Sequence, residues 1–241
     1  MDSLSMAVAS GLRARFEAMD MLANNIANSS TAGFKKDGEF YGIFQQVEGA
    51  GSPDDSLQPV IQKNWTDLSQ GTLQTTGNSM DFALSGKGWL GVSGPNGTLY
   101  SRNGSLRVNA AGTVTSQEGH PVRLTGGQPL QIQSGVPLVL GADGNLTQGG
   151  LSLGKLEILD FPEGSLVRAG SAYFRALDPL ERGIEVPETD LLQGKLESAN
   201  VSAPESAVRL INLTRQFEGL QRALQLGSEM SRKAIEEVAK V

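Results

Sequence analysis

Cysteine is absent from the 241-residue chain, and histidine occurs once. The first absence excludes disulfides, cysteine-ligated zinc and thiol chemistry. The second rules out a multi-histidine metal site and leaves one candidate base for a serine-histidine-aspartate triad. That residue, His120, lies in Gln117-Glu118-Gly119-His120-Pro121 and reads as a surface-turn histidine. No run approaches the roughly 18 apolar residues of a membrane-spanning helix, so no direct membrane insertion is expected. Met1-Asp2-Ser3-Leu4-Ser5 carries an acid where a secretory signal peptide has lysines, and no continuous apolar segment follows. Any export is expected to proceed without a cleaved signal peptide. Basic runs are missing too. Lys plus Arg is 20 against 26 for Asp plus Glu, a net charge of −6, and the pairs Arg13/Arg15 and Lys35/Lys36 are too small for a phosphate-binding groove. No nucleic-acid partner is expected.

What is abundant is glycine, 30 of 241 residues, crowded in the middle of the chain and sparse in the last forty. The ends and the centre are therefore different kinds of structure. Leu4, Val8, Leu12, Phe16, Met19, Leu22 and Ile26 recur every three or four residues, with Arg13, Arg15, Glu17 and Asp20 between them. This predicts an amphipathic helix with one narrow stripe, the width that a coiled-coil partner covers. Asn28-Ser29-Ser30-Thr31-Ala32-Gly33-Phe34 is its stop signal. Its polar side chains compete for backbone hydrogen bonds, Gly33 suits the left-handed conformation, and Phe34 is placed to pack back on the last turn. Near the other end, Leu210, Leu213, Phe217, Leu220 and Leu224 form a second stripe. Pro204 and Glu205 suit its first turn.

Between the helices the period falls to two. Asn103-Gly104 is expected to turn a hairpin between residues 98–101 and 105–108. Further turns are expected at Asn96-Gly97, Ala111-Gly112, Asp143-Gly144 and Gly149-Gly150, with an edge strand near 136–140 and another strand near 156–161. The fold class is α+β: a discontinuous helical coiled-coil domain made of both termini, flanking a central all-β domain. The predicted divisions are an N-terminal helix at 1–35, an extended connector at 36–80, the β domain at 81–184, a connector at 185–203 and a C-terminal helix at 204–241. Two uncovered stripes of this length favour association with each other and with neighbouring copies.

Four segments carry a family resemblance. Ala23-Asn24-Asn25-Ile26-Ala27-Asn28 running into Thr31-Ala32-Gly33-Phe34-Lys35 resembles the signature of the flagellar basal-body rod and hook proteins. Asp81 to Leu90, the segment Tyr100-Ser101-Arg102-Asn103-Gly104-Ser105-Leu106, and Gln193-Gly194-Lys195-Leu196-Glu197-Ser198-Ala199-Asn200-Val201 resemble three further motifs of that family. The chain departs from the usual pattern in three places: Ala199 stands where serine is usual, Ser206-Ala207-Val208-Arg209 where the family often carries a Glu-Met pair, and Trp89 in place of the commoner phenylalanine.

The resemblance implies a structural, non-enzymatic subunit of the flagellar basal body. Its terminal helices would lie near the axis of a tubular rod and transmit torque for motility, with the β domain outside. Its implied partners are copies of itself, other rod proteins and the flagellar type III export apparatus, with no cofactor and no small-molecule substrate. Length and a single β domain are closer to proximal-rod members, the distal-rod members being the near alternative. The assembly residues implied are Leu12, Phe16, Met19, Leu22, Asn24, Asn25, Ile26, Asn28, Gly33, Phe34, Asn200, Leu210, Leu213, Phe217, Leu220 and Leu224. The asparagine amides, with donors and acceptors on one group, are expected to bond to neighbouring subunits.

Other classes find little support in the residues. Gly86-Lys87-Gly88-Trp89-Leu90-Gly91 matches a dinucleotide fingerprint in letters, but Val92-Ser93-Gly94-Pro95 prevents the helix that such a site requires. A secreted β-rich hydrolase would need convergent acids or a metal cage. The pairs Asp54/Asp55 and Glu236/Glu237 read instead as solvated surface. A phage-tail or adhesin-like module would share the β domain but not the asparagine-rich helix. On the rod reading, limited proteolysis of the monomer is expected to trim the ends to a core of roughly 81–184.

Overall fold

The structure, a computed structural model, describes residues 3–44, 58–178, 180–181, 183–186 and 188–238. Two compact units emerge, both discontinuous in sequence. A helical unit takes Met1–Ala27, Lys36–Asp67 and Ser202–Val241, and a β unit takes Asn28–Lys35 and Leu68–Val201.

The helical unit holds helix α1 (Ser3–Ala27), strands β1 (Asp37–Phe44) and β2 (Gln58–Thr66), and helix α2 (Ala203–Val238). Pro204 and Glu205 fall in the first turn of α2, where a missing N–H and a negative charge are both favourable. The helices pack on each other, with Ala18, Leu22 and Leu213 buried in the seam and Met19 and Leu210 beside them. A methyl group added at Gly11 would sit 3.7 Å from Leu220 Cδ1. As α1 advances from Gly11 to Leu22 its partners on α2 retreat from Leu220 to Leu213, so the pair is antiparallel.

The stripe on α1 differs from the one read off its large apolar residues. From residue 11 onward, Ala14, Ala18, Leu22 and Asn25 are the buried positions of α1, whereas Phe16 is 56% exposed. Small residues let two helix backbones approach closely, and a pattern that counts only bulky side chains passes over alanine. On α2, Leu213 is buried, Leu210, Phe217 and Leu220 are half-buried, and Leu224 is exposed.

The segment expected to be an extended connector contains β1 and β2, paired antiparallel with a bulge between Phe40 and Tyr41. The glycine-rich stretch 49–53 and Asp54/Asp55 lie outside the described residues.

The β unit is built from short strands: β3 (Leu73–Thr75), β4 (Phe82–Ser85), β5 (Trp89–Gly94), β6 (Gly97–Ser101), β7 (Leu106–Val108), β8 (Val114–Ser116), β9 (Leu138–Leu140), β10 (Asn145–Gln148), β11 (Leu151–Lys155), β12 (Ile158–Asp160), β13 (Leu166–Arg168), β14 (Tyr173–Ala176), β15 (Ile184–Glu185), β16 (Asp190–Gln193) and β17 (Lys195–Glu197). The largest sheet runs β13-β14-β6-β5-β12-β15; β11-β10-β9 form a second, and β16-β4, β17-β3 and β7-β8 form pairs. Its core gathers Phe82, Leu90, Val92, Val114, Leu130 and Leu146, among others, each at most 3% exposed. The expected turns at Asn96-Gly97, Ala111-Gly112, Asp143-Gly144 and Gly149-Gly150 separate consecutive strands, and β9 starts just after Pro137 at the edge of its sheet.

Asn103-Gly104 does not turn a hairpin. β6 pairs with β5 and β14, while β7 pairs with β8. Gly104 has another use: its carbonyl accepts from Phe82 N at 2.9 Å, and a Cβ there would lie 1.7 Å from Phe82 O. The pair serves close backbone approach rather than a tight turn.

The β unit also extends beyond residues 81–184. Strand β16 pairs with β4 along four residues, and β17 pairs with β3. A core cut at 184 would strip β4 of β16, its one partner strand among the described residues.

Candidate assembly site and a buried charge cluster

The Asn24-to-Lys35 string does two separate jobs. Asn24 and Asn25 end α1, and Asn25, 3% exposed, is committed within the chain. Its Nδ2 donates to Asp37 O at 2.8 Å and its Oδ1 accepts from Asp37 N at 3.0 Å. The amide thus mimics a backbone partner for the start of β1. One N–H and one acceptor site of this amide are thus engaged within the chain. Asn28 accepts from Thr31 N through its carbonyl at 3.0 Å and from Thr31 Oγ1 through its side chain at 3.3 Å, closing the turn after the helix. Asn24 stands exposed on α1, and Leu12, Met19 and Ile26 are half-buried.

From Asn28 onward the string belongs to the β unit. Gly33 adopts φ +66°, the left-handed conformation expected of it, and its N–H donates to Glu197 O at 2.7 Å. Phe34 is fully buried, and its ring lies under the Arg168 guanidinium at 5.0 Å. The same guanidinium covers Phe174 at 5.1 Å and donates to Lys35 O. Asn200 holds the other side of this segment: its N–H donates to Phe34 O at 3.2 Å, and its Nδ2 reaches Ser69 O and Oγ, each at 3.2 Å.

Lys35 ends the string inside a three-charge cluster. Its Nζ donates to Glu197 Oε1 at 2.6 Å and also to Ser69 O. Glu197 Oε1 accepts from Gly71 N at 2.9 Å as well, and Glu197 Oε2 accepts from Arg102 Nη1 at 3.2 Å. Arg102 Nη2 donates to Gly86 O at 2.7 Å, and the guanidinium lies over Trp89 at 5.4 Å. The side chains of Lys35 and Glu197 are both 0% exposed and that of Arg102 is 5%. Burial pulls the Arg102 guanidinium below its ordinary value, and the Glu197 carboxylate opposes that shift. Charges buried like this are tolerated because they are paired; among the described residues, Arg102 Nε is the one atom of the cluster buried without a hydrogen-bond partner. Sequence reading missed the cluster because Lys35, Arg102 and Glu197 look like any solvated charges until the fold brings them together.

His120 sits in its turn with its N–H on Ser116 Oγ at 3.2 Å, its ring edge-on to Tyr173 at 5.3 Å. Among the described residues there is no group of three metal-ligating side chains, and no helix long and apolar enough to cross a membrane.

Three family models match the chain: "Flagella basal body rod protein" over residues 7–35, "Flagellar hook protein FlgE/F/G D1 domain" over 83–152, and "Flagellar basal body rod FlgEFG protein C-terminal" over 192–237. The flagellar basal-body rod protein FlgF of Mesorhizobium japonicum is 32% identical over 220 residues, covering 90% of each chain. The chain belongs to the flagellar basal-body rod protein family. Another relative, FlgF of Caulobacter vibrioides, is 30% identical over 238 residues and 92% of each chain. FlgG of Buchnera aphidicola is 28% identical over 249 residues, covering 92% of this chain and 95% of its own. The rod-family matches map onto the cluster one charge apiece: Lys35 lies in the first matched segment, Arg102 in the second and Glu197 in the third.

Proposed function

We propose that this chain is a structural subunit of the flagellar basal-body rod, of the proximal FlgF type, that assembles through its two terminal helices acting as one coiled-coil domain and transmits torque without catalysing a reaction. The observation that carries this reading is the antiparallel seam between α1 and α2, made from the two ends of the chain and lined by Ala18, Leu22 and Leu213. FlgF relatives at 30–32% identity, against 28–29% for FlgG relatives, support the proximal assignment. The basal body is the site of action. Its partners are copies of itself, neighbouring rod proteins and the type III export apparatus, which passes the chain without removing a signal peptide.

Of the residues expected at the assembly interface, Asn24, Phe16 and Leu224 are exposed. Leu22, Leu213, Gly33 and Phe34 are buried within the chain and act on assembly by shaping it. The test is deletion of the chromosomal copy, followed by electron microscopy of purified basal bodies and a swimming assay. Truncated rods and immotile cells, restored by the full-length chain, are expected. Complete rods in swimming deletion cells would sink the reading.

A further inference from the structure

The helical unit carries apolar character on two sides of each helix, and its own seam uses only one. An α-helix turns about 100° per residue, so Phe16 and Asp20 lie about 160–200° around α1 from the buried Ala18. On α2, Arg215 and Gly219 lie on the side opposite the half-buried Phe217, in line with the exposed Val208, Ile211, Leu226 and Met230. Each helix therefore presents an outer face that points away from the other helix.

The two outer faces complement each other. Phe16 is a large aromatic left 56% exposed. Gly219 is a glycine inside a helix, where alanine would be more favourable, and a methyl group added there meets nothing within 4 Å. This chain's own packing gives no reason for a glycine at 219; a bulky side chain arriving from outside does. Asp20 and Arg215 are both exposed, opposite in sign, and have no hydrogen-bond or ion-pair partner among the described residues. Phe16 precedes Asp20 by four residues and Arg215 precedes Gly219 by four. In an antiparallel crossing, the register that seats Phe16 over Gly219 also sets Asp20 against Arg215. The same register brings Arg13 near Arg222, but each already holds a carboxylate of its own helix, Glu17 and Glu218.

We infer that the outer face of α1 in one copy of this chain packs on the outer face of α2 in the next, with Phe16 filling the space above Gly219 and Asp20 pairing with Arg215. The two faces look in opposite directions, so one neighbour cannot satisfy both. The contact is head-to-tail, and repetition generates an open array rather than a closed dimer. This inference rests on the rod-subunit reading and specifies its self-contact.

The absence of cysteine makes the test clean. Asp20→Cys and Arg215→Cys chains are expressed together in cells deleted for the chromosomal copy, and intact basal bodies are oxidised. A cross-linked dimer is expected when both variants are present and none when either is present alone. Self-cross-linking of one variant alone, or adducts only with another rod protein, would overturn the contact. In parallel, Asp20→Arg and Arg215→Asp should each abolish swimming while the double variant recovers it. If the deletion strain itself swims, the rod reading fails. If it does not, but both single reversals swim, only this interface fails.

Discussion

Lys35 and Glu197, 162 residues apart in sequence, are joined by a 2.6 Å ion pair with neither side chain exposed. Arg102 completes the group from a third part of the chain. The arrangement ties the segment after the first helix to the segment before the second, through the interior of the β unit.

Removing the shared anion should be costly. Glu197→Gln preserves shape but leaves two buried cations without a counter-charge, which costs on the order of 3–5 kcal/mol. Replacing Lys35, Arg102 and Glu197 together by methionine and leucine side chains should cost far less, because no buried charge remains to be compensated. Urea unfolding of the full chain compares the two directly. Equal midpoints for Glu197→Gln and the parent chain would show that the cluster contributes little.

Gly33 and Gly77 separate backbone conformation from crowding. Both have positive φ, +66° and +74°. A Cβ at Gly33 would lie 2.3 Å from the backbone of Arg102 and Asn103, whereas one at Gly77 meets nothing within 4 Å. Gly77→Ala should cost about 1–2 kcal/mol, the ordinary left-handed penalty. Gly33→Ala should lower the melting temperature more, since neither backbone can move without disturbing the charge cluster beside it.

Asn25→Ala should destabilise the helical unit by about 1–3 kcal/mol, because it leaves the Asp37 N–H and C=O without their partner. The signature is local: faster hydrogen exchange of the Asp37 amide, with exchange in the β-unit core unchanged. An Asp37 amide that keeps its protection would show that the contact is dispensable.

A fragment spanning residues 28–201 should fold cooperatively, and one spanning 81–184 should not. The shorter piece lacks Lys35, Glu197, β3, β16 and β17, so it exposes one edge of β4 and leaves Arg102 buried without its carboxylate. Circular dichroism melting distinguishes them; a sharp transition for 81–184 would contradict the extended β unit.

Much of the plan was legible in local pattern. The three- and four-residue spacing located both helices because one stripe of each is buried, and Gly-containing turn pairs located the breaks at 96–97, 111–112, 143–144 and 149–150. The family strings located the segments that matter. Local pattern failed where the cause is non-local. Phe16 scored as core by its bulk, yet the seam is lined by Ala14 and Ala18, because the distance between two backbones sets which side chains fit. Asn103-Gly104 has the composition of a hairpin, but the strand that approaches Gly104 is the one bearing Phe82, twenty-two residues earlier. Residues 36–80 read as an extended connector because β1 and β2 are separated by residues 45–57, so their pairing leaves no short-range trace.

The sequence by itself determined the helical ends, the turn-rich β centre, the exclusion of thiol and multi-histidine chemistry, and the family, because each depends on spacing or composition that neighbouring residues carry. Tertiary structure alone decided which charges are buried, which side of α1 meets α2, and where one unit stops and the next begins. Those outcomes depend on burial, and a side chain's exposure is set by chain segments far from it in sequence. Lys35 illustrates the difference: in the string it is one of two adjacent lysines, and only the fold makes it the buried partner of Glu197 while Lys36 pairs at the surface with Asp67.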